Sequence, residues 1–324
     1  MSRVQRSRGY ILVAILALLV VMSIVAMRMH NSVQHYALET GHWQEWANLQ
    51  AKLHDARDQV LYYMLTQSLS DWGFGKGRKL LRIDGRPYRM PSGVMVSVQD
   101  ERGLMSVNEF EPVKMRQILH SSGLSSEAAS RLTDALMDYT DIDDLRRLNG
   151  AESSDYERAR KQPPANDYLK SAYELKGVMG WEELSLLHPR PSDFFTATRE
   201  PWINVNTAPL PVLKAFGLDD AQALQVIEHR ELAPIRTPRH FQALSGNLIS
   251  DDEPFWFYPG IFYRIRAWSP DAYLAREWHI MFFYSDETRP WRVLASRAVA
   301  RPGGTNNQTS DVQEFPTSVQ TTLQ

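Results

Sequence analysis

The side chains best placed to do chemistry are acidic. Asp138, Asp141, Asp143 and Asp144 form one short run, and Glu152 follows it. Clustered carboxylates repel one another, and a divalent cation held by several hard oxygens is one way to relieve that repulsion. Asp141, Asp143 and Glu152 match positions one, three and twelve of a calcium loop. Position five is Leu145 and position six Arg146, so the run is not an EF-hand. Arg146 and Arg147 offer a second means of neutralisation, and the sequence leaves both arrangements open. Catalytic signatures are missing: there is no H-E-x-x-H, no G-x-S-x-G and no phosphate-binding G-x-x-x-x-G-K-[ST]. His30, His35, His42 and His54 fall on one predicted helix and the other histidines are scattered, which suits surface or packed residues. The sequence therefore predicts a protein that is not an enzyme.

An exported, membrane-held chain must position that acidic run. Arg3, Arg6 and Arg8 precede an uncharged stretch from Tyr10 to Met27, whose only hydroxyl beyond Tyr10 is Ser23. At about 1.5 Å per residue such a helix approaches the roughly 30 Å hydrocarbon core. The basic leader predicts a cytoplasmic N-terminus with the remainder outside. Ile24-Val25-Ala26 is a poor signal-cleavage site, so the segment reads as a retained anchor. Trp46, Leu49, Leu53, Ala56, Val60 and Met64 then recur at helical spacing, predicting one long helix to about Ser70, with Gly41 its weakest point.

The remainder divides by pattern. Strand-like runs at 79–83 and 94–98 begin a sheet, and aromatic-rich runs at 262–268, 278–284 and 291–299 resume it. Between them the pattern is helical, so one domain interrupts another and the ends of the insert must lie close together. A weak repeat runs through the insert: Val107-Asn108 leads to Gly123-Leu124, and Val205-Asn206 leads to Gly217-Leu218, each reading as two short helices around a glycine turn. The second copy is similar to helix-hairpin-helix modules, many of which bind DNA phosphates. Here Asp219 and Asp220 sit where a phosphate would, and the formal charge is −2, so nucleic acid is not expected. Apolar residues at 43% and charged residues at 23% predict a folded body, and the absence of cysteine excludes disulfides and thiolate-bound metals. The tail from Pro302, rich in Gly, Thr, Gln, Asn and Ser, is expected to be disordered.

Four stretches together resemble the K-type minor pseudopilins of bacterial type II secretion systems: 8–13 at the leader junction, 100–108, Asp141 to Asp144 with Gly150 to Glu152, and 203–209. The resemblance implies an α+β fold, in which a pilin-like long N-terminal helix packs on an antiparallel sheet and a large all-α domain of helix-hairpin-helix or SAM-like type is inserted between strands. The expected segments are a prepilin leader at 1–9, a transmembrane helix at 10–27 and its amphipathic continuation at 28–70. The first part of the β domain follows at 71–107, then the inserted domain at 108–250, the C-terminal strands at 251–301 and the tail at 302–324. It further implies cleavage by a prepilin peptidase after Gly9 and methylation of Tyr10. Ala14 then stands at the fifth mature position, where most pilin-like subunits carry a glutamate and K-type subunits do not. An acid at that depth is costly unless paired, so a subunit lacking it can sit at the tip of a periplasmic pseudopilus. Structural calcium at Asp141, Asp143, Asp144 and Glu152 is implied, as are contacts with I-type and J-type minor pseudopilins, the major pseudopilin and the inner-membrane assembly platform. The competing reading is a membrane-tethered periplasmic binding or DNA-uptake protein that uses the helix-hairpin-helix module.

Overall fold

The computed structural model describes residues 10–182, 184, 190–246, 255–284, 288–302 and 312–316. It falls into two compact units, 1–52 and 53–324. Helix α1 (Tyr10–Thr66) supplies the first unit, in which Leu12–Met29 is long and apolar enough to cross a membrane and has none of its surface buried. Trp43 and Trp46 meet edge to face in the same unit, with ring centroids 6.3 Å apart.

In the second unit the last turns of α1 bury Leu53, Ala56, Val60, Tyr63 and Met64, the stripe that a 3.6-residue period places on one face. That stripe covers a six-stranded sheet. Its strands are β1 (Asp84–Arg89), β2 (Met95–Asp100), β3 (Phe262–Trp268), β4 (Leu274–Phe282), β5 (Trp291–Ala300) and β6 (Gln313–Glu314). The spatial order is β5-β4-β3-β2-β1-β6, antiparallel throughout except for β6 beside β1. Strand periodicity gives this sheet two different faces. One carries Val96, Val98, Tyr263, Ile265, Trp278 and Ile280, and Trp278 meets His54 of α1 at 5.4 Å between ring centroids. The opposite face carries Ser97, Gln99, Arg264, Arg266, Glu277 and His279.

The second face is buried under the insert, which leaves β2 at Asp100 and returns at β3, where Tyr263 pairs with Asp100. The expected close approach of the insert's two ends is therefore a register pair. The insert itself consists of two related halves. In the first, Met105–Ser106 runs parallel to Phe195–Thr196, and helices α2 (Pro112–Ser121) and α3 (Ser126–Thr140) flank Gly123, whose φ is +96°. A short helix α4 (Ser153–Arg158) follows. In the second, Ile203–Asn204 runs parallel to Phe255–Trp256, and helices α5 (Leu210–Ala215) and α6 (Asp220–Leu232) flank Gly217 at +89°, with α7 (Pro238–Ser245) behind them. Asn108 and Asn206 hold equivalent posts. Asn108 donates to the carbonyls of Leu169 and Ala197 and accepts from the Leu169 N–H, while Asn206 donates to Ile235 and Phe257 and accepts from Ile235. The weak sequence repeat is thus a structural duplication with a carboxamide staple in each half.

Polar contacts fix each half to the sheet. Under the first half, Glu101 accepts from Thr196 Oγ1 at 2.5 Å and pairs with His279 Nδ1 at 2.6 Å. His279 Nε2 meets Glu277 at 3.0 Å, and Glu277 also takes Arg266 Nε at 2.6 Å and Ser192 Oγ at 3.0 Å. Burial opposes the charge on His279, but Glu101 and Glu277 outweigh it and raise its pKa to about 9. Under the second half, the Arg230 carbonyl accepts from Trp72 Nε1 and Arg82 Nη2, and Glu231 pairs with Arg86 at 2.5 Å.

Several expectations need correction. Helix α1 ends at Thr66 rather than near Ser70, because Leu69–Ser70 turns into a hairpin with Gly73–Phe74. Strand β1 carries Gly85 and Pro87 and lacks a strand signature; an irregularity between Asp84 and Pro87 accommodates them. The insert extends beyond 108–250 at both ends and contains the two short parallel bridges. The described tail residues 312–316 are ordered: β6 pairs with β1, the Phe315 N–H donates to the Arg89 carbonyl, and Phe315 is buried against Tyr63 and Tyr88.

The Asp100 carboxylate accepts from Asn204 Nδ2 at 2.8 Å, Thr207 Oγ1 at 3.0 Å, and the N–H groups of Gly260 and Arg102 at 3.1 Å each. Asp100→Ala would strand those donors, with an expected loss of about 4 kcal/mol of unfolding free energy in urea titration. The His279 contribution is fully present below its unfolded pKa near 6.5 and is lost as pH rises through about 9. The stability gap between the wild type and His279→Gln should therefore close by roughly 3 kcal/mol between pH 6.5 and 9.5. A gap independent of pH would show that His279 is not charged in the fold.

Candidate functional site

The acidic run occupies the C-terminal end of α3. Its N-terminus is capped by Ser125, whose hydroxyl accepts from the Ala128 N–H, and its apolar face buries Ala129, Leu132, Ala135 and Leu136. Asp138 lies on the last turn, fully buried, and Asp141 is the C-cap. A helix C-terminus carries a partial negative charge, so carboxylates there are doubly unfavourable without a cation. Arg147 supplies one: its Nη1 lies 2.6 Å from Asp138 Oδ1 and 2.5 Å from Asp141 Oδ2, and its N–H donates to Asp138 Oδ2 at 3.1 Å. The loop closes tightly over this pair. A Cβ on Gly150 would sit 1.8 Å from Asp138 Oδ2, so only glycine fits there.

Glu152 ends the loop and begins α4. It is 5% exposed, and its carboxylate faces the Asp155 N–H in a capping box but makes no close hydrogen bond among the described residues; Asp141 Oδ1 is likewise without one. Burial, followed by the negative charges of Asp138, Asp141, Asp144 and Asp143, pushes the Glu152 carboxyl up to about 7. Asp143 Oδ1 accepts from the Leu145 N–H at 2.8 Å, and both Asp143 and Asp144 are exposed. The four predicted ligands thus share one electrostatic neighbourhood. Among the described residues, however, no three acidic or histidine side chains close on a common metal-binding point. Asp138 and Arg147 prove as central as the predicted four, because the loop folds back onto the helix end. A cleft of about 580 Å³ opens beside them, lined by Phe110, Asp141, Asp143, Arg147, Asn166 and Tyr168 among others.

Gly9 lies outside the described residues, and Tyr10 opens α1. At the helix-hairpin-helix turn, Asp219 accepts from the Gln222 N–H at 2.8 Å while Gln222 Oε1 accepts from the Asp219 N–H at 2.9 Å. The chain's own carboxylate fills the helix start that a phosphate would use.

Two family models match the chain, both described as type II secretion system protein K, over residues 94–192 and 203–250. These are the two halves of the insert together with strand β2. The type II secretion system protein K of Dickeya chrysanthemi is 29% identical over 137 residues, which cover 40% of this chain and 38% of that relative. Among solved structures, the GspK-GspI-GspJ complex of the enterotoxigenic Escherichia coli type 2 secretion system matches 81% of this chain and 100% of the other chain, with a TM-score of 0.53 at 15% identity. That likeness is one of fold. The protein K family consists of structural pseudopilins and not of enzymes. Over its two matched stretches the chain is similar to the type II secretion system protein K family, and it shares that family's fold.

Proposed function

We propose that this chain is a minor pseudopilin that caps the tip of the periplasmic pseudopilus and helps initiate or limit its assembly. The observation that carries this reading is the duplicated insert, matched by the family models and seated on a sheet that is itself backed by the long N-terminal helix. Such a bulky insert obstructs further stacking above it. The apolar segment Leu12–Met29 would hold the subunit in the inner membrane, with the basic leader cytoplasmic and the head periplasmic. Its partners would be the I-type and J-type minor pseudopilins, which accompany the K-type chain in the solved complex, together with the major pseudopilin and the assembly platform. The filled phosphate position at Asp219 weighs against the DNA-binding alternative.

The acidic loop fits structural calcium on the chemistry of its donors. The unpartnered oxygens of Glu152 and Asp141 are hard, anionic and buried, which is what a calcium ion requires and what a fold otherwise avoids. Asp141, Asp143, Asp144 and Glu152 would hold the ion, which would neutralise the loop and tie the end of α3 to the start of α4.

Calcium at about 100 times its dissociation constant should stabilise the wild type by about 2.7 kcal/mol in thermal or urea unfolding. Glu152→Gln should abolish that increment, while an equal increment in the variant would remove Glu152 from the site. For the membrane reading, intact mass of the N-terminal peptide from native membrane should correspond to a chain beginning at methylated Tyr10. A chain beginning at Met1 would count against pilin-type processing.

A further inference from the structure

Of the exposed large side chains on the second unit, four aromatics gather around the neck where the insert leaves and rejoins the sheet. Trp202 and Trp256 are 43% and 41% exposed, with ring centroids 5.6 Å apart. Tyr258 is 50% and Tyr284 55% exposed. Arg102 connects them. Its guanidinium lies 5.7 Å from the Trp256 ring, binds Glu200 through two nitrogens at 3.1 and 3.3 Å, and donates to the carbonyl of Pro259 at 3.2 Å. The adjacent Gly260 carbonyl accepts from Tyr263 Oη, which in turn is hydrogen-bonded to Tyr284 Oη at 2.8 Å.

Three properties of this patch point to a protein partner. It is rigid, because Arg102 and Gly260 are both anchored on Asp100. It is electrically balanced, because Glu200 neutralises Arg102. It is also large: aromatics bury about 150–250 Å² each, so four half-exposed rings offer on the order of 400 Å², about half of the roughly 800 Å² that one side of a stable interface contributes. Tryptophan, tyrosine and arginine around a desolvated centre are the composition of an interface core.

We infer that the patch formed by Trp202, Trp256, Tyr258 and Tyr284 is the surface by which this subunit docks the head of a neighbouring pilin-like subunit. That neighbour presents an uncharged, apolar-centred face with acceptors at its rim for the indole N–H and phenol O–H groups. The inference rests on the minor-pseudopilin reading above and adds the contact surface to it.

The test measures affinity of the full-length chain in detergent for the I-type and J-type subunits of the same secretion system, by sedimentation. The double variant Trp202→Ser/Trp256→Ser should bind on the order of 100-fold more weakly, and Trp202→Ser alone on the order of tenfold. Leu232→Ser, at a more exposed apolar position on α6 outside the patch, should bind as the wild type does. Thermal midpoints compare the folds, and the single variant is decisive where the double variant does not fold. Binding by the wild type that Trp202→Ser leaves unchanged overturns this surface and spares the functional reading. Failure of the wild type to bind either subunit overturns the functional reading itself. Loss of self-association in the variants, with partner binding intact, would instead make the patch a contact between copies and overturn the inference.

Discussion

The Asp100 carboxylate is the interaction on which the rest of the head depends. Strands β2 and β3 are antiparallel neighbours, so the whole insert must begin and end on adjacent strands, at Asp100 and its register partner Tyr263. Two paired residues in such a ladder have Cα atoms about 4.5–5.5 Å apart, which leaves little room for error. Asp100 fixes the crossing by binding the outgoing turn through Arg102, the second half of the insert through Asn204 and Thr207, and the returning strand through Gly260. A backbone carbonyl could not make four such contacts at one point. Burial nonetheless pushes the Asp100 carboxyl up to about 6, against the effect of those hydrogen bonds. The neck is therefore held by a group that costs free energy to bury and is kept charged by its donors.

The same economy explains the two unlike faces of the sheet. The face under α1 is apolar and is held by packing, which tolerates small rotations of the helix. The face under the insert is ionic: Glu101, Glu277 and Asp193 alternate with His279, Arg264 and Arg266. Buried ion pairs are poor sources of net stability, because desolvation offsets much of their attraction. They are effective at defining one arrangement, since any shift of the insert leaves a charge buried and unpaired. If the insert presents the proposed docking surface, a layer that penalises displacement suits that task better than an equally stable apolar one.

Much of this was legible in the sequence, and the illegible parts share a cause. Helical periodicity found α1, and the aromatic strands β3, β4 and β5 were visible because each carries its own alternation. The duplication was visible only as Asn108 and Asn206 before glycine turns; their matching hydrogen bonds explain why that residue type recurs. Strand β1 was hidden by Gly85 and Pro87, and β6 by a polar tail composition. Both belong to the sheet through partners distant in sequence, and Phe315 is ordered by Tyr63 and Tyr88 rather than by its neighbours. His279 looked incidental for the same reason, since Glu101 is a long-range partner.

The acidic loop shows how far residue types alone can carry a site. The sequence named two ways to neutralise the carboxylates, a divalent cation and the arginines, as alternatives. In the fold the arginine reaches only some of those oxygens, and the proposed cation would serve the others. Arg147 satisfies Asp138 and one oxygen of Asp141, at the end of α3 where the helix dipole makes a positive charge most valuable. The other Asp141 oxygen and both Glu152 oxygens are buried with no close hydrogen bond among the described residues. Arg147 neutralises the helix end, while Arg146 pairs with Asp155 in the first turn of α4 at 3.4 Å rather than with Glu152. The leftover charge is what the proposed calcium ion would neutralise; Arg230 Nε and Arg264 Nη1 are also buried without partners among the described residues, but those groups are cationic, so Asp141 and Glu152 are where an added cation would help.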